Sequence, residues 1–260
     1  MKAIHGGKAK NDRIDAQKIA MLMRGGMFPE AYVYPAAMRA TRDLMRRRNH
    51  LMRKRAELIA HIQNTNSQYN LPEFGKRISK KHERTDIAAQ FSDPQVQKVV
   101  ELDCTLIDYY DELLPKLERH IQACAKGHDP KALPLLKTIP GIGMILALII
   151  LYEIHDITRF PRAQDFISYC RLVKCARESA GELYGHSGNK IGNAHLKWAF
   201  SEAAVLMLAN LPQAASFVAR KAKQHGKGKA ISILAARLGR AVYHMLKRKE
   251  DFDVKRMFGA

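Results

Sequence analysis

The sequence has no long apolar run, no paired cysteines and a deficit of acidic residues. Its longest apolar stretch, residues 144–152, ends at Glu153 and is much shorter than the roughly 20 residues that a membrane-spanning helix needs. The four cysteines form no Cys-x-x-Cys pair and match no zinc-site spacing, which predicts reduced thiols rather than disulfides or bound metal. The first residues contain no apolar segment typical of a secretion signal. We therefore expect a cytoplasmic protein with no membrane partner.

The charge balance is the strongest global property of the sequence. Lysine and arginine number 44 against 25 aspartates and glutamates, which gives a net charge of +19. This excess predicts a polyanionic partner, and nucleic acid is the first candidate. An ordinary basic surface is the alternative, and a membrane surface is disfavoured because the cations are spread over several helices. In a bacterium the prediction is a nucleoid-associated protein.

Apolar periodicity predicts two long helices between residues 36 and 126. In the first, about 37–64, Leu44, Leu51 and Leu58 recur every seven residues. The second, about 94–125, has apolar residues at steps of three and four. The pattern predicts an antiparallel helical hairpin or coiled coil, and its seams also favour a homo-oligomer, either a dimer or a tetramer. The apolar row of the second helix comprises Val99, Leu102, Leu106, Tyr110, Leu113, Leu117 and Ile121.

The first long helix carries many cations and few acidic residues. A cationic helix face is usually solvated surface, but the excess here favours contacts with a phosphate backbone. The arginines to which we assign this role are Arg46, Arg47 and Arg53.

Residues 133–154 have the form of a helix-hairpin-helix. A short helix, the turn Pro140-Gly141-Ile142-Gly143 and an apolar helix follow one another. Gly141 and Gly143 permit a tight turn, and the N-terminus of the second helix offers free N–H groups to a phosphate. A plain turn between two helices is the alternative interpretation.

Residues 171–190 form a polar stretch punctuated by glycines, ahead of a helical pattern that starts near Ile191. This composition suits contact with a phosphate backbone better than it suits a core. The stretch contains Ser179, although serine is also a common turn residue, and the nearby Ser187 has the context of a turn. The cations expected to hold the backbone are Arg171, Lys174, Arg177 and Lys190.

Asp12 and Asp15 lie three residues apart at the start of a predicted short helix, so their carboxylates share one face. Asn11 or Asp12 as the N-cap, with Asp15 in the first turn, is the simpler interpretation. The second is half of a carboxylate cluster for Mg²⁺, as two-metal nucleases require.

Two blocks of the sequence resemble a known family. The segment KAKNDRIDAQKIAML resembles the last acidic motif of the DEDD transposases of the insertion sequence one-ten type, also called the one-sixteen/nine-oh-two type. The segments LLKTIPGIG, FPRAQDFISYCRLV and GNKIGNAHLKWAFSEAA are similar, in that order, to the C-terminal domain of these transposases. The family implies a nuclease domain of ribonuclease H fold and a helical domain with a catalytic serine. Its proteins cut and rejoin DNA, and members are guided by a structured RNA.

By this resemblance Asp12 and Asp15 match the last two acids of the DEDD set, and Ser179 matches the serine nucleophile. The first Asp and the Glu lie upstream on strands in the family, so residues 1–28 are expected to be only the last helix of the nuclease domain. Mg²⁺ is then expected only if the other acids are supplied, and the chain could otherwise be an inactive remnant.

The expected fold is mainly α. After residues 1–28 we expect a long-helix coiled-coil region at 36–126 and a helical C-terminal transposase domain at 130–250. The second hypothesis for function is a non-catalytic helical protein that binds DNA or RNA.

Overall fold

The computed structural model describes residues 11–28, 31–75, 77–125, 131–179, 181–187 and 191–259. These residues fall into two compact units, Met1–Pro35 and Ala36–Ala260. The described part of the first unit holds one helix, α1 (Asp12–Arg24), and Gly25 follows its last turn. The prediction of a mainly α fold is confirmed.

The second unit begins with two long helices that pack against each other, α2 (Ala36–Gln68) and α3 (Pro94–Cys124). They run antiparallel, because ion pairs join early residues of α2 to late residues of α3. Arg48 Nε lies 2.8 Å from Glu118 Oε1, and Arg55 Nε lies 2.6 Å from Asp111 Oδ1. Three short 3₁₀ turns connect the helices, at Arg77–Ser79, Lys81–Glu83 and Ala88–Gln90.

The end of the helical pair nearest these turns has its own small apolar core. Ile62 of α2 and Ile107 of α3 are fully buried there, against residues of the connecting turns such as Ile78 and Phe91. Arg84 is almost fully buried beside this core and pairs with Asp108 and Asp111 of α3. The connection is therefore packed onto the helices by both apolar and charged contacts.

The packed face of α3 differs from the one predicted. The row of Val99, Leu102 and Leu106 was expected to face α2, but these side chains are exposed. The row buried instead is one residue further along: Val100, Asp103, Ile107, Leu114 and Ile121. The prediction was wrong because α3 carries two adjacent apolar rows, and periodicity alone gives no reason to choose the row that contains Asp103. In the structure Asp103 accepts a hydrogen bond from, or shares a proton with, His61 of α2 at 2.5 Å.

The remainder of the second unit is a helical domain interrupted by one hairpin of strands. Helix α5 lies in its core, and every residue of α5 from 146 to 154 is buried. Helix α5 packs against α2, α4 and α7, while α9 packs against α6, α7 and α8. The elements are α4 (Ala132–Lys137), α5 (Met144–Ile154), α6 (Ala163–Tyr169), β1 (Cys175–Ser179), β2 (Glu182–Ser187), α7 (Ala194–Asn210), α8 (Pro212–His225), α9 (Lys227–Arg248) and α10 (Val254–Phe258).

No single described helix is long and apolar enough to cross a membrane. Only α7 and α8 taken together reach that length and composition, and a bend of 111° separates them.

Candidate active site and nucleic-acid interface

The stretch around Ser179, predicted as a loop, is an antiparallel β-hairpin. Ser179 is the last residue of β1 and pairs with Glu182, the first residue of β2. Only residues 180 and 181 join the two strands, and Gly181 has a φ of +80°, which favours glycine. The backbone of Ser179 therefore lies at the tip of the hairpin, next to its turn. The side chains of Ser179 and Arg177, and the whole of Lys190, lie outside the described residues.

The base of the hairpin is closed by contacts between the segments before and after it. Arg171 has a φ of +57°, and its Nε donates to the carbonyl of Ile191 at 3.2 Å. The Asn193 N–H donates to the Tyr169 carbonyl at 2.7 Å. Gly192, with a φ of +104°, must be a glycine here, because a Cβ at this position would lie 2.5 Å from the same carbonyl oxygen. Arg171, predicted to bind phosphate, thus contributes to the hairpin's attachment, while Lys174 is exposed.

Asn193 connects the exit of the hairpin to a buried carboxylate. Its Oδ1 accepts from the backbone N–H groups of His195 and Leu196 and so caps α7. Its Nδ2 donates to Glu153 Oε2 at 2.7 Å. Glu153 is the only charged residue of α5, and it is 2% exposed.

Two arginines of α2 neutralise Glu153. Arg46 donates to both of its oxygens, at 2.7 and 2.9 Å, and Arg42 Nη2 lies 2.8 Å from Oε2. Burial by itself would raise the pKa of Glu153. Hydrogen bonds from Arg46 and Asn193, with the positive charges of Arg42 and Arg46, outweigh burial and hold the pKa below its usual value. The carboxylate is therefore ionised at neutral pH and joins α2, α5 and the exit of the hairpin.

This network separates the three arginines of α2 to which we assigned phosphate contacts. Arg46 faces Glu153 and is 33% exposed, so its guanidinium already has an anionic partner. Arg47 and Arg53 are exposed, and neither forms a hydrogen bond or ion pair with any residue that the structure describes. These two cations remain available to an external anion.

His195, in the first turn of α7, was missed in the sequence. It is half-buried, and burial lowers the pKa of its imidazole, an effect that the nearby arginines of α2 reinforce and Glu153 opposes. A neutral imidazole has one ring nitrogen that can accept a proton. Glu153 was also missed, although a lone acid in an otherwise apolar helix is a signal that could have identified it.

The two glycines of the predicted helix-hairpin-helix turn have different surroundings. Gly141 has a φ of +93°, and a Cβ there would lie 2.7 Å from Met207 N and 2.9 Å from the carbonyl carbon of Leu206. Its role is thus to let the turn lie directly on the backbone of α7. Gly143 is the N-cap residue of α5 and has no side-chain capping bond, and a Cβ at Gly143 would meet no atom within 4 Å. The N-terminus of α5 is therefore open on this side.

In the first unit, Asp12 and Asp15 both lie in the first turn of α1. The N-cap is Asn11, whose Oδ1 accepts from Ile14 N at 2.9 Å, so neither carboxylate is used as the cap. Carboxylate oxygens are the ligands that Mg²⁺ prefers, and this ion is often bound by one or two carboxylates together with water. The pair fits that requirement, although no group of three or more metal-binding side chains occurs among the described residues.

Comparison with known families accounts for both regions. A sequence model for DEDD transposases of the IS110 type matches residues 1–70. A second model, described as the transposase IS116/IS110/IS902 family, matches residues 133–219. The chain belongs to the IS110-type transposase family. The first IS110-type model contains Asp12, Asp15 and nearly all of α2, and the second runs from α4 to α8 and contains the Ser179 hairpin.

Two curated proteins are similar to this IS110-type chain. One is the insertion element IS110 uncharacterized 43.6 kDa protein of Streptomyces coelicolor, 29% identical over 144 residues, which are 54% of this chain and 34% of that protein. The other is the transposase for insertion sequence element IS1111A of Coxiella burnetii, 22% identical over 251 residues, which are 94% of this chain and 68% of that protein. The chain thus spans about one third of the first relative and about two thirds of the second.

Proposed function

We propose that this chain carries the DNA-binding and serine-nucleophile region of a transposase that cleaves and exchanges DNA strands. The observation that carries the proposal is the position of Ser179 at the tip of a hairpin whose base is fixed. A nucleophile must be held in a defined geometry, and the contacts of Arg171, Gly192 and Asn193 restrain both ends of the hairpin. Family membership supports the same assignment.

In the proposed reaction Ser179 Oγ attacks the phosphorus of a DNA phosphodiester. A P–O bond to the serine forms, the bond to one deoxyribose oxygen breaks, and the serine proton is lost while the leaving oxygen gains one. A free DNA hydroxyl then reverses the chemistry and releases the serine. Lys174 lies just before β1 and is exposed, which suits it to hold the phosphate backbone. Arg171, Arg177 and Lys190 are proposed for the same role.

Asp12 and Asp15 are proposed to hold Mg²⁺, together with acids that lie outside this pair. When bound, the ion would neutralise negative charge on the reacting phosphate. The geometry of α1 supports this role, because Asn11 supplies the cap and both carboxylates are left for another function.

We assign further nucleic-acid contacts to the open N-terminus of α5 at Gly143 and to Arg47 and Arg53 of α2. Arg46 and Gly141 act indirectly, Arg46 through Glu153 and Gly141 by allowing the turn to pack on α7. The partners are DNA and a structured guide RNA, in the bacterial cytoplasm at the nucleoid. The active form is a homo-oligomer.

The test is a covalent adduct between the protein and DNA. The intact protein, incubated with end-labelled DNA of the insertion-sequence ends, the RNA of the element and Mg²⁺, is expected to yield a labelled band on a denaturing gel. Ser179→Ala should abolish the band. Ser187→Ala, at the end of β2 in the same hairpin, is the matched control and should retain it. An adduct that persists in Ser179→Ala contradicts the assignment.

A second candidate function is nucleic-acid binding without cleavage. The unpaired guanidinium groups of Arg47 and Arg53 favour it, because they require no reaction. Binding that weakens steeply with salt, combined with no adduct for the wild-type protein, would select this function.

A further inference from the structure

Helix α3 presents a row of large apolar side chains to solvent. Val99 is 44% exposed, Leu102 56%, Leu106 48% and Tyr109 60%. The opposite face of α3 packs against α2, so this row is not part of the helical pair. Scattered apolar side chains are normal on a surface, but four of them on one face of one helix form a contiguous patch.

The spacing of this row is that of a coiled-coil seam. Its members are separated by three, four and three residues, and the next position of the series is Leu113, which is half-buried. Residues at these intervals occupy the a and d positions of a heptad, which interlock with the same positions on another helix. The row therefore fits an α-helix with the same repeat.

We propose that the row binds a second copy of this chain, so that two α3 helices pair antiparallel across a two-fold axis. In the heptad of the row, Lys98 and Glu112 both occupy the g position, 14 residues apart, with opposite charge. In an antiparallel pair g positions face each other, so Lys98 of each copy meets Glu112 of the other. A two-fold axis makes this contact twice.

The register follows from the same symmetry. Val99 of one copy packs against Tyr109 of the other, and Leu102 against Leu106, which places Thr105 near the axis. Within one chain Lys98 is bonded to Glu101, and Glu112 to Lys81, both in exposed pairs. Such pairs contribute little to stability, so either residue can exchange its partner at small cost. A parallel pair would instead align like charges at each end of the row.

The inference does not depend on Ser179 and is tested without DNA. Light scattering after size exclusion, over a range of protein concentrations, should give the mass of a dimer for the intact protein. Leu102→Asp combined with Leu106→Asp should give the monomer mass, with unchanged helical circular dichroism because both positions are exposed. The matched control is Val205→Asp, at an exposed apolar position of α7, which should stay dimeric.

A charge exchange tests the orientation. Lys98→Glu puts two like-charged contacts into the antiparallel pair and should raise the dissociation constant roughly tenfold. Lys98→Glu with Glu112→Lys should restore the wild-type value. A monomeric wild type overturns the proposal, as does a Leu102→Asp, Leu106→Asp variant that stays dimeric. If the double charge exchange fails to restore affinity, the antiparallel arrangement is wrong. A monomeric wild type whose nucleic-acid binding is lost in that leucine variant would assign the row to nucleic acid instead.

Discussion

Replacing Glu153 by glutamine is the most informative perturbation of the second unit. Glutamine has nearly the same shape, but it is uncharged, and its amide group would point donors at the donors of Arg42 and Arg46. The two guanidinium groups, 14% and 33% exposed, would lose the only carboxylate with which they pair among the described residues. Asn193 would also lose the acceptor that ties α7 and the hairpin exit to α5.

The magnitude follows from the burial of the three groups. Removing one partner of a buried ion pair costs about 3–5 kcal/mol, because the remaining charge stays buried without compensation. Since Arg46 keeps part of its contact with water, we expect the lower end of this range, about 3 kcal/mol. For a unit of this size the melting temperature should fall by roughly 6–12 °C.

Urea unfolding followed by far-UV circular dichroism measures this change. Glu57→Gln is the matched control, since Glu57 of α2 pairs only with Lys54 in an exposed position, and its midpoint should stay that of the wild type. If Glu153→Gln unfolds at the same urea concentration as this control, the buried network does not stabilise the domain and our reasoning about the hairpin base is wrong.

The pH dependence of the same pair of proteins gives an independent check. The pKa of Glu153 is lower in the folded protein than its usual value, against the effect of burial, because of Arg46, Asn193 and Arg42. A group with a depressed folded pKa stabilises the protein fully above its unfolded pKa, and this stabilisation is lost as the pH falls through the folded pKa. The stability difference between the wild type and Glu153→Gln should therefore be constant near neutral pH and shrink below about pH 4.3. A difference that grows on acidification would contradict the ionised state.

Two further predictions concern the hairpin base and the basic face of α2. Gly192→Ala should destabilise the protein in thermal unfolding, because its Cβ would collide with the Tyr169 carbonyl, while Gly143→Ala, where a Cβ has open space, should unfold like the wild type; equal melting temperatures would refute the close approach. Arg47→Ala with Arg53→Ala should weaken DNA binding and flatten the plot of log K against log salt by about 0.9 per lost contact, whereas an unchanged slope in a fluorescence titration would remove both from the interface.

Helix α3 illustrates how far periodicity predicts a fold. Steps of three and four correctly indicated a long helix with apolar rows, since that spacing belongs to the helix itself. The rows of Leu102 and Ile107 are neighbours on one cylinder, and both are apolar. Only the packing of α2 and the contact of His61 with Asp103 selects the buried one.

The candidate site shows the same division. Composition and resemblance identified Ser179, and its role as nucleophile stays a prediction. That Ser179 lies at the tip of a β-hairpin was not predicted, because the strands are only five and six residues long and are stabilised by pairing with each other. Glu153 and Asn193 are 40 residues apart in the chain, so their hydrogen bond could not be read from local sequence.

The sequence by itself determined the helical character of the chain, its affinity for polyanions and its family, because propensity, net charge and motif order are properties of the residues. Tertiary structure decided which cations are free. Arg46 and Arg47 are adjacent and chemically identical, yet one is neutralised by Glu153 and the other faces solvent. The physical reason is that side-chain direction around a helix, together with burial of a carboxylate on another helix, fixes the partner of each charge.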